Sequence, residues 1–133
     1  MIIGIGTDLC DIRRIEDSIK KFDERFKTRI FTKTEREYCE SKSGKASYYA
    51  KRFAAKEAVA KALAGPRTKS LSWQDVEVVN DPSGRPSVKL YRGARNRMKS
   101  RLPDGFEGHI FLSLTDDYPY AQAFAVFEAR ASL

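Results

Sequence analysis

The sequence predicts an α+β fold in which helices pack on a largely antiparallel sheet. Apolar residues recur with a helical period in the first half of the chain, and the period changes from 3.6 to 2 in the second half. Two turn-forming segments, 81–84 and 116–119, separate the alternating stretches in the manner of hairpins. Because helices that precede a group of hairpin strands are typical of α+β proteins, we expect about five strands and about four helices. The length of 133 residues suits a single domain that spans residues 1–133.

The first predicted element is a strand over Ile2–Leu9 with glycines on one of its faces. Alternate side chains of a strand point to the same side, so Gly4, Gly6 and Asp8 line one face. Glycine weakens a strand, and two glycines on one face therefore indicate that another group approaches the backbone closely there. Asp8 then stands at the end of this opened face. The ordinary alternative is a strand that simply ends in a helix-capping aspartate.

Two helices separated by a short extended segment are expected next. Asp11 is a suitable N-cap for the first helix, whose core-facing positions follow a helical spacing. These positions are Ile12, Ile15, Ile19 and Phe22. We expect residues 29–31 to be extended. The capping boxes that begin at Thr32 and Thr34 predict a second helix that runs to about Ser41.

A longer helix is predicted over Ser47–Ala64, which is rich in alanine and contains neither glycine nor proline. Gly65 and Pro66 supply the usual end of such a helix. The later elements are four strands, 76–80, 86–91, 109–115 and 120–128, and one basic helix, 93–102.

The overall charge favours an anionic partner. The formal net charge is +7 and the isoelectric point is about 9.5, so nucleic acid, an acidic protein and a phosphorylated small molecule are all compatible. The outer face of the first helix carries several cations. They are Arg13, Arg14, Lys20 and Lys21. This face is either an ordinary solvated surface or a docking face for an acidic partner helix.

The remaining composition points away from secreted and membrane proteins. Cys10 and Cys39 have no metal-type spacing, and we expect reduced thiols in a cytosolic protein. No apolar run approaches the roughly 20 residues of a membrane span. The N-terminal segment 1–4 lacks the basic region of a signal peptide. We therefore expect a cytoplasmic protein without a membrane partner.

The longer helix contains a single acidic residue among several cations. Glu57 is the only carboxylate in Ser47–Ala64, and Lys56 and Lys61 flank it. Phe53, Glu57 and Lys61 are spaced at i, i+4 and i+8 and therefore share one face. The ordinary interpretation is a surface ion pair between Glu57 and Lys61, which is worth a few tenths of a kcal/mol.

Asp8 and Glu57 together support a second interpretation. Two carboxylates without a histidine or cysteine beside them suit a hard cation, and Mg²⁺ is typically held by one or two carboxylates together with substrate phosphates. Lys56 and Lys61 would serve the same phosphates as point charges. The residue types therefore predict a magnesium–phosphate site for phosphoryl-transfer chemistry.

Two motifs identify a family that the chain resembles. Gly6-Thr7-Asp8 near the N-terminus and Phe53-x-x-Lys56-Glu57-Ala58-x-x-Lys61 in the longer helix resemble the two-part signature of the 4′-phosphopantetheinyl transferases. The length and the start Ile3-Gly4-Ile5-Gly6-Thr7-Asp8 are similar to those of the small bacterial class of this family. The resemblance covers essentially the whole chain.

The resemblance implies a function and a set of site residues. Members move the phosphopantetheine arm of coenzyme A onto a serine of an apo-acyl carrier protein and release adenosine 3′,5′-bisphosphate. It implies that Asp8 and Glu57 bind magnesium and that Lys61 contacts the phosphate under attack, so Lys61 and Glu57 are the expected catalytic residues. Arg14 is then the residue that meets the acidic recognition helix of the carrier protein. The family also implies a homotrimer with each active site at a subunit interface.

The chain departs from the family pattern in two places. Where many members carry a Gly-Thr-Gly stretch near the nucleotide, this chain has Ala64-Gly65-Pro66. Proline lacks the backbone donor, so Arg67 and Lys69 are the candidates to replace a lost phosphate contact. Phe111 and Asp116 stand where many members carry histidines.

The sequence leaves the proton acceptor and the role of the histidine unassigned. The acceptor of the serine proton is a water, Glu57 or Glu35. The sole histidine, His109, has no motif partner, and we expect it to be structural or at the surface.

The competing interpretation is a basic nucleic-acid-binding module without catalysis. It accounts for the net charge and for the arginines of 93–101. It does not account for Asp8 or Glu57, because isolated acids repel phosphates when no metal is present, and the recognition motifs of common nucleic-acid folds do not occur in the chain. A third interpretation, a trimeric scaffold without catalysis, requires the Asp8→Ala variant to retain full function.

Overall fold

The structure, a computed structural model, describes residues 1–65 and 70–133, and those residues form five strands and five α-helices. The strands are β1 (Ile2–Asp11), β2 (Val76–Asn80), β3 (Pro86–Leu90), β4 (Phe106–Asp117) and β5 (Tyr120–Ala131). The helices are α1 (Ile12–Phe22), α2 (Glu24–Ile30), α3 (Lys33–Glu40), α4 (Lys45–Leu63) and α5 (Arg92–Arg101). A short 3₁₀ helix over Trp73–Asp75 precedes β2.

The strands form two antiparallel sheets. The larger sheet has the order β1-β5-β4, and β2 pairs with β3 in a separate hairpin. The predicted α+β class with antiparallel pairing is therefore confirmed, although the strands divide into a three-stranded and a two-stranded sheet instead of one sheet. The predicted turn between β2 and β3 is also confirmed, because the backbone N–H of Gly84 donates to the carbonyl of Asp81.

Helix α4 lies across the inner face of the larger sheet. Over residues 54–63 of this helix, the side chains that are at most 1% exposed are small or aliphatic: Ala54, Ala55, Ala58, Val59, Ala62 and Leu63. The facing side chains of β5 are similarly small apart from one phenylalanine: Ala121, Ala123, Ala125, Phe127 and Ala129. The distance between packed elements depends on the side chains at their contact, so small residues on both surfaces allow α4 to lie close to the sheet.

The closest approach occurs between β1 and α4. A Cβ atom on Gly4 would lie 2.1 Å from the carbonyl oxygen of Ala62, and one on Gly6 would lie 2.0 Å from that of Ala58. These separations leave no room for a side chain, so only glycine fits at either position. The predicted close approach is confirmed, and the approaching group is the backbone of α4. Asp8 follows on the same face and is thereby directed toward the same helix.

One helix is absent from the sequence prediction. Residues 29–30 are not extended, because they form the end of α2, and only Phe31 after it is extended. This short helix begins directly after Asp23, whose φ of 42° separates it from α1. The described chain therefore has five α-helices instead of the four expected.

The core prediction for α1 holds for its first half and fails at its end. Ile12 and Ile15 are buried, and Ile19 packs partly buried against the same core. Phe22 is 50% exposed because it ends the helix, beyond the part that is covered. The predicted core position of Phe22 is therefore wrong.

The predicted helix starts are confirmed by their caps. The carboxylate of Asp11 accepts the backbone N–H of Arg13 at 3.0 Å, and Thr32 and Glu35 form a reciprocal capping box at the start of α3. Some boundaries differ: α4 begins at Lys45 and β4 at Phe106, both earlier than predicted. Strand β1 continues to Asp11, so Asp8 lies within the strand and not at its end.

The described helices include none that is long and apolar enough to cross a bilayer. Cys10 and Cys39 are free thiols, and both are buried. Burial raises the pKa of the Cys10 thiol to about 11 and that of Cys39 to about 12. Neither thiol is therefore an ionised nucleophile near neutral pH.

Candidate active site

The two predicted carboxylates meet where β1 contacts α4. Asp8 lies on the β1 face that Gly6 opens toward the helix, and Glu57 directly precedes Ala58, whose carbonyl faces Gly6. Both carboxylates line one cavity of about 220 Å³. Two residues that are far apart in the sequence are therefore brought together by the glycine-dependent contact.

Lys61 joins this pair from the next turn of α4. Its Nζ donates to the carbonyl oxygen of Thr7 at 2.8 Å and to Oδ1 of Asp8 at 3.3 Å. The side chain of Lys61 remains 54% exposed, so its ammonium can still meet an incoming anion. Within the described part of the chain, Lys61 forms its ion pair with Asp8. The Glu57–Lys61 ion pair of the ordinary interpretation is therefore not the pair that the structure contains.

The electrostatic surroundings of Glu57 favour a bound cation. Partial burial is the main cause that raises the pKa of its carboxyl, the negative charge of Asp8 raises it further, and Lys61 partly offsets both effects. Two like charges at a partly buried site repel each other, and a cation between them would relieve that repulsion.

Arg14 on α1 lines the same cavity as Asp8 and Glu57. Asp11 caps α1 immediately after β1, so the first turn of the helix stays beside the end of the strand. The neighbouring Arg13 is held by a 2.7 Å ion pair with Asp11. Of the two arginines, Arg14 is therefore the one that the fold brings to the candidate site.

Lys56 is buried in the protein core, and this position corrects the prediction that its ammonium contacts phosphate. It is 2% exposed, and its Nζ donates to the carbonyl oxygens of Trp73 and Val76 and pairs with Glu35 at 2.8 Å. An ammonium has three N–H donors, so these acceptors occupy all of them. Burial lowers the pKa of Lys56, and the charge of Glu35 opposes that shift.

Glu35 is fully buried and is fixed by three donors. Besides Lys56, its carboxylate accepts the backbone N–H groups of Thr32 at 2.8 Å and Val78 at 2.7 Å. A carboxylate without exposed surface has no access to a serine hydroxyl of another protein. Of the proton acceptors considered, Glu57 and a water therefore remain.

Trp73 belongs to the surroundings of the site and is missed by the sequence prediction. Its ring stacks on Phe53 with centroids 5.1 Å apart and an interplanar angle of 29°. Together with Glu57 and Ala60 it lines a second cavity of about 290 Å³. The available signal was that Trp73 is the only tryptophan of the chain and follows a polar segment.

Arg52 is a second residue that the sequence prediction misses. It is 2% exposed, its guanidinium lies 4.0 Å from the ring centroid of Tyr38, and it donates a hydrogen bond to Asn80. Its buried Nε has no hydrogen-bond partner among the described residues. Arg52 and Lys51 line a further cavity of about 370 Å³.

A family model identifies the superfamily of the chain. The model of the 4′-phosphopantetheinyl transferase superfamily matches residues 4–123. The chain belongs to this superfamily. The matched range includes both motifs and therefore Asp8, Glu57 and Lys61.

Individual members of the superfamily are similar over nearly the full chain. A holo-[acyl-carrier-protein] synthase of Caulobacter vibrioides is 55% identical over 129 residues, which cover 97% of each protein. The crystal structure of a holo-[acyl-carrier-protein] synthase from Neisseria meningitidis has a TM-score of 0.79 at 34% identity and covers 96% of this chain and 99% of that one. The Helicobacter pylori synthase in complex with coenzyme A has a TM-score of 0.77 at 30% identity, with coverage of 93% and 99%. These similarities confirm the predicted fold and family.

Two positions at which the chain departs from the superfamily pattern, Phe111 and Asp116, do not line the cavity of Asp8 and Glu57. Phe111 is exposed on the outer face of the larger sheet, and Asp116 forms a 3.2 Å ion pair with Lys51. His109 lies at the surface beside Glu107, in agreement with its expected role. The predicted replacement of a phosphate contact by Arg67 or Lys69 falls in 66–69, outside the described residues.

The candidate metal site consists of two carboxylates. In residues 1–65 and 70–133, histidine, cysteine and acidic side chains do not gather in groups of three or more that could hold a metal ion. Asp8 and Glu57 would therefore leave coordination positions for water and for substrate oxygens. Magnesium sites that bind phosphates have this composition.

Proposed function

We propose that this chain acts as a holo-[acyl-carrier-protein] synthase, which transfers the 4′-phosphopantetheine arm of coenzyme A to a serine of an apo-acyl carrier protein. The serine Oγ forms a bond to the phosphorus that carries the arm, and the bond from that phosphorus to the bridging oxygen breaks. Adenosine 3′,5′-bisphosphate leaves with the bridging oxygen, and the serine proton passes to a base. The observation that carries the proposal is the convergence of Asp8, Glu57 and Lys61 from the two superfamily motifs.

Magnesium is the proposed cofactor, and the donor set fits it. Asp8 and Glu57 offer oxygen ligands. Partial burial and, to a lesser extent, the charge of Asp8 raise the pKa of Glu57, and a cation would relieve the repulsion between the two carboxylates. These two residues would hold the ion. When bound, it would neutralise charge on the pyrophosphate.

Lys61 and Glu57 are the proposed catalytic residues of the chain itself. The Lys61 ammonium is oriented by Thr7 and Asp8 and is half exposed, so it can contact the phosphate under attack. Fixed positive charge at this position stabilises the negative charge of the transferred group, which is the main contribution of a protein to phosphoryl-type transfer. The proton acceptor is Glu57 or an ordered water.

The proposed partner is an acidic acyl carrier protein that docks on α1 and α2. A groove of about 300 Å³ lies there, and Phe22, Arg25 and Arg29 line it. Arg14 adds a cation from the adjacent cavity. An exposed apolar residue among cations suits the apolar side of an acidic helix, which accounts for the exposure of Phe22.

We further propose a homotrimer that buries the outer face of the larger sheet. Four large apolar side chains of this sheet are exposed: Ile5 (61%), Leu9 (63%), Phe111 (37%) and Phe124 (43%). The register places Thr7 opposite Phe124 and Phe111 opposite Val126, so these residues share the face that points away from α4. A contiguous apolar surface of this kind marks an interface. The substitution Phe124→Glu should convert the trimer to monomers in light scattering.

Binding experiments separate this proposal from the nucleic-acid-binding alternative. We expect retention on immobilised coenzyme A that requires magnesium and is lost in the Asp8→Ala and Glu57→Ala variants. Glu37→Ala, which removes an exposed acid of α3, is the matched control. Retention on heparin alone, lost as salt is added, would instead favour the basic module.

A further inference from the structure

Helix α5 is strongly basic, and the proposed transfer reaction leaves its cations without a role. Five of its ten residues are arginine or lysine, and the helix contains no acidic residue. In α1, by contrast, Glu16 and Asp17 accompany the cations. Like charges three or four positions apart on a helix repel each other and lower its stability. An anionic partner on α5 would relieve this repulsion.

Three exposed cations of α5 lie on one face of the helix. Arg92, Arg95 and Lys99 are spaced at i, i+3 and i+7, and all three are exposed. Arg92 pairs with Asp75 at 2.7 Å. Arg95 and Lys99 form no ion pair with any other residue in the described ranges 1–65 and 70–133. Both charges are therefore available to a partner in solution.

The fold fixes α5 at both of its ends. Arg92, the first residue of the helix, has a φ of 45°, which an arginine seldom adopts. This conformation is held by Asp75, whose carboxylate accepts Nε of Arg92 at 2.7 Å and the backbone N–H of Gly93 at 3.3 Å. At the other end, Arg101 donates to the carbonyl oxygen of Leu63 in α4 at 3.1 Å. The cationic face is therefore held in one position before any partner binds.

The residue before Asp75 connects α5 to the helix proposed to receive the carrier protein. The side-chain amide of Gln74 donates to the carbonyl oxygens of Thr28 at 2.9 Å and Phe31 at 3.0 Å, at the end of α2. Adjacent residues of one 3₁₀ helix therefore hold the end of α2 and the start of α5. A 3₁₀ helix of three residues is only about 6 Å long. A protein that docks on α2 consequently lies close to α5 as well.

We infer that the face of α5 formed by Arg92, Arg95 and Lys99, which we call the α5 face, is a second contact surface for the acidic acyl carrier protein, in addition to the groove of α1 and α2. This inference rests on the proposed function. Carboxylates of the carrier protein pair with Arg95 and Lys99. Such charge pairs at the rim of an interface speed association and fix the orientation of the partner.

The composition of the α5 face favours an acidic protein over other polyanions. A helix that binds an anionic membrane surface needs an exposed apolar side, whereas Ala94 of α5 is buried and Met98 packs against the core. Proteins that bind single-stranded nucleic acid combine cations with aromatic rings for base stacking, and α5 contains no aromatic residue. The exposed Phe22 in the groove beside α2 instead suits the apolar side of a protein helix.

Binding of a fluorescently labelled apo-acyl carrier protein, measured by anisotropy, tests the α5 face independently of transfer. Arg95→Glu and Lys99→Glu should each raise the Kd about threefold, and the double variant should raise it about tenfold, mainly through slower association. Arg95→Gln, which removes the charge without reversing it, should give a smaller increase. Lys33→Glu on α3 is the matched control, because it changes the net charge equally at an exposed helical site and should leave the Kd within about 1.5-fold.

Steady-state kinetics of the folded double variant provide the second readout. We expect the KM for the carrier protein to rise about tenfold, because its binding loses two charge pairs. The KM for coenzyme A and the kcat at saturation should stay within about twofold of the wild-type values, because the α5 face does not include the candidate active-site residues. Circular dichroism shows whether the variants are folded.

The outcomes distinguish the α5 face from the proposed function. Normal transfer by the wild-type protein, with an unchanged Kd in the double variant or an equal change in Lys33→Glu, would overturn only the α5 face. An unchanged Kd with a raised KM for coenzyme A, or with weaker retention on heparin, would also overturn it and would assign the cations to a nucleotide or to nucleic acid. A wild-type protein that binds the carrier protein through Arg95 and Lys99 but transfers nothing would support the α5 face and contradict the proposed function. A wild-type protein that does not bind the carrier protein would overturn both.

Discussion

The Nζ atom of Lys61 lies 3.3 Å from Oδ1 of Asp8, although 53 positions separate the two residues in the sequence. The contact depends on the side-chain-free face of β1, where Gly4 and Gly6 let the strand rest against the backbone of α4. The same packing brings Glu57 to Asp8. The candidate site is therefore a direct consequence of one strand–helix contact.

Replacement of Lys61 should reduce transfer without unfolding the protein. The Lys61→Ala variant loses a positive charge at the phosphate, and we expect kcat to fall by about 10²-fold. The side chain is 54% exposed, so the midpoint of thermal unfolding should change little. Steady-state kinetics with coenzyme A and a carrier protein measure the effect, with Lys33→Ala on α3 as the control. Wild-type kcat in the Lys61→Ala variant would remove Lys61 from the proposed catalytic residues.

Addition of one methyl group to Gly6 should disturb both stability and the site. In Gly6→Ala the new Cβ would lie 2.0 Å from the carbonyl oxygen of Ala58, so β1 and α4 must separate. We expect a loss of about 1–3 kcal/mol in the free energy of unfolding, measured by urea denaturation, together with weaker binding of magnesium.

Gly93 offers a matched control for this substitution. A Cβ at Gly93 would meet only Oδ2 of Asp75 at an ordinary 3.5 Å. Gly93→Ala in α5 should therefore be neutral or stabilising by up to about 1 kcal/mol. Equal stability of the Gly6→Ala and Gly93→Ala variants would contradict the role assigned to the strand–helix contact.

The buried pair of Glu35 and Lys56 should be important for stability and not for phosphate binding. Lys56→Met leaves the carboxylate of Glu35 buried without its counter-charge, and we expect a loss of about 3–5 kcal/mol in the free energy of unfolding. Lys33→Met, at a side chain that is 83% exposed, should change it by less than about 0.5 kcal/mol. A Lys56→Met variant with wild-type stability but a greatly raised KM for coenzyme A would instead support the original phosphate-binding role.

Glu40 should make the stability sensitive to acid. Its pKa is lowered from 4.5 to about 2, mainly by the hydrogen bond from Tyr49 and also by Lys45 and Lys27. The ionised form is thus favoured in the folded state, so its contribution is complete above pH 4.5 and is lost as the pH falls toward 2. Urea denaturation at several pH values should show a stability difference between wild type and Glu40→Gln that is constant near neutral pH and shrinks in this range. A difference independent of pH would contradict the assignment.

The sequence predicts the central elements well because their signals are local. The alanine-rich composition and the Gly65 stop define α4, and the two glycines of β1 indicate the close approach. Helix α2 is missed because it has only seven residues and follows α1 after a single residue, Asp23. Seven residues are too few to show the helical period of apolar residues on which the prediction depends.

The roles of individual cations depend on packing that the sequence does not contain. Lys56 and Lys61 flank the same glutamate and look equivalent in the sequence. The fold directs Lys56 into the core, toward Glu35 and residues 73–76, and leaves Lys61 at Asp8. Trp73 becomes part of the site only because its ring stacks on Phe53 of α4.

Mass spectrometry of an apo-acyl carrier protein after incubation with this protein and coenzyme A tests the central claim most directly. The reaction is run with magnesium, with a chelator, and with the Asp8→Ala and Glu57→Ala variants. We predict a mass gain of one phosphopantetheine that requires the metal and both carboxylates. The absence of any gain with the folded wild-type protein and magnesium would contradict the proposed transfer, and a gain that survives the loss of both carboxylates would contradict the proposed metal site.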